Sequence, residues 1–381
     1  MLNKIPEYAC QIAASIFCLV IFSCRSDKVP DLPNSKKISI HISEQSESFT
    51  DLFRDVEIIP LEDNHEGMLS DVSRLKKRGL YYCILDEGAS SKVSLFYMDG
   101  RFVRNIGELG HSKNEYICLT DAAFGKDKIV LLDCNHIVKV FDYENHFLLE
   151  KDLGENMYFK SIEAVPNGYV CTAPHLGSED SGNSLLYFYD ENFNLSSQQI
   201  PSLPEAIMEM PFVQHGFHSD ESNYYYFDFF RSMLFMGDIH THSLLDSYTF
   251  QIPRLPDASD FVNDAFFNHL GEFDCFTQEY VFGGKVYAYI SYDDIMSSLI
   301  VNLDNGEGTF KHYADWYPKV FDDDGTCLYT IIPADKLITF LEDKHYIPEK
   351  TRKVLSERVQ KLNYTLRPTN NFLIIKMVPA Q

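Results

Sequence analysis

Five strand-like runs in this chain close on an aspartate, and the intervals between those aspartates are nearly regular. The aspartates are Asp99, Asp142, Asp190, Asp238 and Asp304, spaced 43, 48, 48 and 66 residues apart. The clearest unit runs Val93-Ser94-Leu95-Phe96-Tyr97-Met98, then Asp99-Gly100, then Arg101-Phe102-Val103. Two apolar runs flanking Asp-Gly are a strong hairpin signal. The second unit shows four strands, around residues 121–124, 128–132, 138–141 and 147–153. A repeat of about 45 residues carrying four strands is the pattern of propeller blades. The long last interval implies an insertion around residues 253–272, partly helical. An open array would leave two strand edges unpaired, so the ring must close. Strands at residues 56–61 and 371–378, with residues 327–332 between them, supply a sixth blade from both ends of the chain. Residues 348–362 have helical composition, with Pro348 near the first turn. The expected fold is all-β: a six-bladed β-propeller over residues 37–381, closed by N- and C-terminal strands, with a short C-terminal helix before the last strand.

Composition agrees with a pleated, half-buried architecture. Hydrophobic residues make up 45% and aromatics 14%, mostly Phe and Tyr. The net charge of −23 excludes nucleic acid as an expected partner, because phosphate binding needs a basic surface.

Residues 1–23 read as an export signal: Lys4, then an apolar run from Ile12 to Phe22 that is short for a membrane span. The run ends Ile21-Phe22-Ser23-Cys24, which resembles the bacterial lipobox. That resemblance implies cleavage before Cys24 and acylation of its thiol, with lipid attachment at Cys24. Each buried CH₂ of an acyl chain contributes roughly 0.8 kcal/mol, so a multiply acylated cysteine anchors stably. Phe22 is bulkier than the residue usual there. Residues 24–36 form a polar, proline-containing tether. The expected location is the cell envelope at the outer membrane, on either its periplasmic or its surface side. The membrane is then a partner through the lipid only.

Six cysteines follow Cys24: Cys83, Cys118, Cys134, Cys171, Cys275 and Cys327. None forms a Cys-x-x-Cys pair, so a zinc site of that type is unsupported. Free, buried cysteine is the expectation, since Cys83 and Cys171 sit inside apolar strands.

The chain is similar to the six-bladed β-propeller lipoproteins of Bacteroidetes, relatives of NHL-repeat propellers. Four segments carry the resemblance: the opening strand at residues 53–62, the hairpin at 93–103, the loop at 106–116 and the closing strand at 369–375. The third match departs from the family's Gly-Pro-Gly, with His111-Ser112-Lys113-Asn114 in its place. The resemblance implies a fold and a location but no general activity.

Candidate chemistry is sparse. The loop at 107–116 offers His111, Asn114, Glu115 and Tyr116 as rim-loop contacts; its glycines also suit a tight crossover. His240-Thr241-His242 would share one face on a strand, but a third metal ligand has no reason to converge. His215 and His218 are close in sequence, which leaves their relation in space open. Asp293-Asp294 and Asp322-Asp323-Asp324-Gly325 lack calcium-loop spacing, and the latter reads as a solvated turn. The recurring aspartates suit Asx caps of hairpin turns. No nucleophile elbow, P-loop or His-Glu-x-x-His occurs. The expected function is therefore a non-catalytic, monomeric binding or scaffold propeller for glycan, peptide or an envelope protein, without a cofactor. The alternative is a lyase or hydrolase with a metal ion in the central channel. A weaker alternative is a structural partner docking through an apolar patch near residues 253–272.

Overall fold

The computed structural model describes residues 35–43, 52–88, 91–154, 157–175, 183–203, 216–251, 275–292, 295–312, 319–342, 349–362 and 364–380. The signal segment, Cys24, His215, the insertion at 253–272 and Asp293-Asp294 lie outside these residues.

Two strands precede the repeats, β1 (Lys36–Ser43) and β2 (Phe53–Pro60). Six four-stranded blades then account for the fold. Blade 1 is β3 (Val72–Arg78), β4 (Tyr81–Asp86), β5 (Lys92–Tyr97) and β6 (Phe102–Ile106). Blade 2 is β7 (Leu119–Phe124), β8 (Lys128–Asp133), β9 (Ile137–Asp142) and β10 (Phe147–Asp152). Blade 3 is β11 (Ser161–Val165), β12 (Gly168–Thr172), β13 (Ser184–Asp190) and β14 (Leu195–Pro201). Blade 4 is β15 (Phe217–Ser219), β16 (Asn223–Asp228), β17 (Met233–Asp238) and β18 (Leu244–Gln251). Blade 5 is β19 (Cys275–Phe282), β20 (Lys285–Tyr292), β21 (Ile295–Asn302) and β22 (Glu307–His312). Blade 6 takes β23 (Asp322–Asp323), β24 (Leu328–Ile332) and β25 (Leu373–Pro379), and β2 returns as its outer strand. Helices α1 (Ala334–Glu342) and α2 (Glu349–Val359) lie between β24 and β25. Only α2 has the composition that marks it in the sequence; α1 is an addition.

The strand pattern follows from how blades stack. A blade's second and third strands are covered on both faces by neighbouring blades, so they read as continuous apolar runs, as in Ile129-Val130-Leu131-Leu132 of β8. The outer strand β10, by contrast, is exposed along nearly its whole length. Six apolar clusters fill the six interfaces between consecutive blades. Burying each Leu, Ile or Phe there contributes roughly 1.5–3 kcal/mol.

Closure is by hydrogen bonding. Strand β2 pairs antiparallel with β25, setting Val56 opposite Met377 and Ile58 opposite Ile375. Asn371, 2% exposed, latches the seam. Its Oδ1 accepts from Leu69 N at 3.1 Å, and its Nδ2 donates to the carbonyls of Glu62 and Gly67 at 3.0 Å.

Because each blade is an antiparallel meander, its first and third turns lie on one face of the ring, the turn face. The second-to-third strand connections and the blade-to-blade crossovers lie on the other, the crossover face. Strand β1 belongs to no blade. It runs parallel to both β18 and β22, bridging the outer edges of blades 4 and 5.

Several expectations need correction. Asp142, Asp190 and Asp238 end their strands and cap the turn-face hairpins, each accepting from two backbone N–H groups. In blade 5 Asn302, not Asp304, takes this position and accepts from Asp304 N at 2.8 Å. His240 and His242 lie in the β17–β18 turn, so the shared strand face does not exist. His242 instead stacks on Phe188, with centroids 4.2 Å apart. Asp322 is not in a solvated turn but buried on an innermost strand. Cys83, Cys171 and Cys327 are free and buried, whereas Cys118 is exposed and Cys134 half-buried, both free.

Candidate functional site

Innermost strands line the channel, and their charged residues meet there. On β3, alternation puts Arg74, Lys76 and Arg78 on one face. Arg74 reaches Asp121 of blade 2 at 2.6 Å and Glu163 of blade 3 at 2.5 Å. Lys76 lies 3.4 Å from both Glu163 and Asp322 of blade 6. Arg78 lies 3.4 Å from Asp322 and donates to the carbonyl of Phe124 at 2.9 Å. Three cations therefore balance three carboxylates, tying blades 1, 2, 3 and 6 together. Burial alone would raise Glu163; Lys76, Arg74 and Arg78 outweigh it and hold the carboxyl below its ordinary range. At Asp322 burial wins and the shift is upward.

Blades 4 and 5 meet the channel differently. His218 is stacked between Tyr225 and Tyr280, and its Nε2 accepts from Val281 N at 2.8 Å. Burial pushes it down to about 3, so the ring is neutral. His175 is also committed: its Nδ1 accepts from Leu203 N at 2.9 Å, which leaves Nε2–H to donate to Asp228 at 3.2 Å. Asp228 is further held by Arg231. A histidine whose free nitrogen is capped by an amide cannot take a substrate proton. This pair is a strut between blades 3 and 4.

Two partly buried charged groups, on or just before innermost strands, make no such ion pair among the described residues. Glu279, on β19, makes no salt bridge among the described residues, and burial raises it to about 8. Lys319, just before β23, sits over the Phe321 ring at 4.4 Å; burial lowers it to about 8. The two feel one another's charge. Gly216 makes room for Glu279, since a Cβ there would stand 3.0 Å from its Oε1 and 2.5 Å from Phe227 O. Beside Gly216 lies a cavity of about 40 Å³ bounded by Lys160, His175, Tyr226, Asp228 and Phe230. Among the described residues, no group of three His, Cys, Asp or Glu is placed to hold a metal ion.

Residues 37–377 match the family described as Domain of unknown function (DUF4934). The chain belongs to this family. No curated protein matches it significantly. A crystal structure from Bacteroides fragilis, a "Putative exported protein", shares 12% identity at a TM-score of 0.67, covering 91% of this chain and 100% of that one. This supports the fold alone. The Neurospora crassa Pan2 WD40 domain (9% identity, 68% of this chain, 71% of that one) and BamB from Moraxella catarrhalis (8%, 68% and 71%) each give a TM-score of 0.41, below the level at which whole folds correspond.

In this DUF4934 chain the loop at 107–116 is the crossover from blade 1 to blade 2. Glu115 accepts from Ser112 N at 2.9 Å, and the Tyr116 hydroxyl donates to Ser91 O at 2.9 Å. Tyr116 is 2% exposed, whereas His111 and Asn114 project to solvent. A further series emerges at the ends of second strands, where Asp86, Asp133 and Asp228 are buried. Asp86 accepts from Asp71 N and Asp133 from Cys118 N, each at 2.7 Å, clamping the crossovers. The repeated Ile-Leu-Asp and Leu-Leu-Asp before residues 87 and 134 carried that signal. Glu279 and Lys319 carried none: each lies in unremarkable sequence, on the innermost strands' side of the consecutive blades 5 and 6.

Proposed function

We propose that this protein is a cell-envelope lipoprotein, anchored to the outer membrane through Cys24, whose propeller binds a polar ligand without catalysis at the crossover-face mouth of the channel. The ligand class is glycan, peptide or the exposed segment of an envelope protein. One observation carries the reading: Glu279 and Lys319 are only partly buried and make no salt bridge among the described residues, while Asp121, Glu163 and Asp322 are neutralised in place. A mostly protonated carboxyl and an ammonium group supply hydrogen-bond donors to hydroxyls and carbonyls. His111 and Asn114 extend the same face. The metal-dependent enzyme finds less support, because the channel carboxylates Asp121, Glu163 and Asp322 already converge on the chain's own cations.

The test is calorimetric titration of the full chain with defined oligosaccharides and peptides. A genuine ligand loses roughly tenfold or more in affinity with Glu279→Ala or Lys319→Ala, the cost of about one hydrogen bond. Binding that is indifferent to both substitutions, or a ligand that emerges cleaved, would overturn the proposal.

A further inference from the structure

We infer that Cys118 and Cys134 form a reactive dithiol on the crossover face, which exchanges with small external disulfides and closes into a disulfide of its own. This chemistry is independent of the ligand proposed for the channel mouth. Cys118 ends the crossover from blade 1 to blade 2, directly before β7. Cys134 directly follows β8, the strand paired with β7. Leu119 faces Asp133 in that pairing, and one step beyond it Cys134 N donates to Cys118 O at 2.9 Å. Residues joined in this way across an antiparallel pair have Cα atoms about 5.5 Å apart, inside the range of about 4.4–6.8 Å that a disulfide spans. Asp133 touches both residues: its Oδ1 accepts from Cys118 N at 2.7 Å and from Cys134 Sγ at 3.4 Å.

Cysteine is also an uncommon choice for its turn. His136 N donates to Asp133 O at 3.4 Å, and the two residues between them, Cys134 and Asn135, have φ of 48° and 67°. Glycine and asparagine take such a turn readily, whereas cysteine has no conformational reason to. Exposure divides the roles. Cys118 is exposed and Cys134 half-buried, while Cys83, Cys171 and Cys327 are buried out of reach. Burial, with the charge of Asp133 behind it, pushes the Cys134 thiol up to about 11, which leaves Cys118 as the first nucleophile. Its thiolate attacks one sulfur of an external disulfide RSSR, giving a mixed disulfide on Cys118 and releasing RS⁻. Cys134 then attacks the Cys118 sulfur and a second RS⁻ leaves. The two thiol protons end on the released groups, so two protein thiols are oxidised and one RSSR is reduced to two RSH. The envelope location proposed above supplies oxidising surroundings.

Oxidised glutathione is the probe. The reduced full chain is mixed with it, quenched by alkylation at intervals and mapped by mass spectrometry. The expected course is transient glutathione on Cys118, followed by a Cys118–Cys134 link within one chain. Cys134→Ser should hold the adduct on Cys118, because nothing resolves it. Cys118→Ser should react roughly tenfold or more slowly at position 134. Glutathione that persists on Cys118 of the unsubstituted chain overturns the pair. So does a link from either residue to another cysteine, or a Cys118→Ser chain whose Cys134 reacts as fast as the parent's Cys118.

Discussion

Glu163 and Glu279 both lie on innermost strands, and burial acts on each in the same sense; their neighbours decide the outcome. Glu163 is surrounded by Arg74, Lys76 and Arg78 and is held below its ordinary value. Glu279, where only a backbone hydrogen bond and the charge of Lys319 oppose burial, rises to about 8. The signs of their pH linkage are therefore opposite. Glu279 favours the fold while protonated in both states, below about pH 4.3, and this is lost as pH climbs through about 8. Glu163 favours the fold when ionised, above about pH 4.3, and this is lost as pH falls below it. Glu279→Gln should raise stability by about 2–4 kcal/mol at alkaline pH and leave it unchanged at about pH 4. Glu163→Gln should cost about 3–5 kcal/mol at neutral pH, because it leaves buried cations unbalanced, with the gap shrinking in acid. Urea unfolding of both variants across pH checks this; parallel curves would contradict it. The turn aspartates were legible in the sequence because their partners lie within four residues. Asp322 was misread as solvated because its channel partners are remote: the Lys77 N–H that it accepts lies 245 positions earlier.

At the scale of elements, the blades could be read from sequence because each is built of neighbours, with apolar runs broken by Asp-Gly or Asx turns. Strand β1 was missed although Lys36-Lys37-Ile38-Ser39-Ile40-His41-Ile42 alternates with period two. Its pattern specifies a strand but not an edge, and its partners begin more than 200 residues later. Strand β1 covers the outer edges of two blades, which would otherwise be open to pairing with another chain. Ile38 is fully buried in the interface of blades 4 and 5. Ile38→Asp should cost about 2–4 kcal/mol and free both edges. Hydrogen exchange should then accelerate in β18 and β22 while β5 and β9 keep their protection, and size-exclusion chromatography should show self-association. Unchanged exchange in β18 and β22 would mean that β1 is not what protects them.

Across the whole molecule, no blade owns a complete core. Each of the six clusters draws from two consecutive blades, and the sixth, between blades 6 and 1, includes Ile59 of β2, the strand that pairs with β25 across more than 300 residues of chain. Closing so long a loop carries an entropic cost, but that cost grows only logarithmically with length, by about 0.6 kcal/mol per doubling. The eight residues of β2 therefore suffice, provided the seam is specific. Asn371 gives it specificity through hydrogen bonds to Leu69, Glu62 and Gly67, segments that lead into blade 1. Asn371→Ala leaves those buried groups without partners and should cost about 2–4 kcal/mol. Because every interface depends on its neighbours around the ring, the loss should lower the midpoint of one cooperative urea transition, with near- and far-ultraviolet circular dichroism still coinciding. If the two signals separated, with aromatic packing of blades 6 and 1 lost before the strands of blades 2 to 5, the blades would be stable independently. Closure would then be a local feature of the seam, not the condition on which the fold depends.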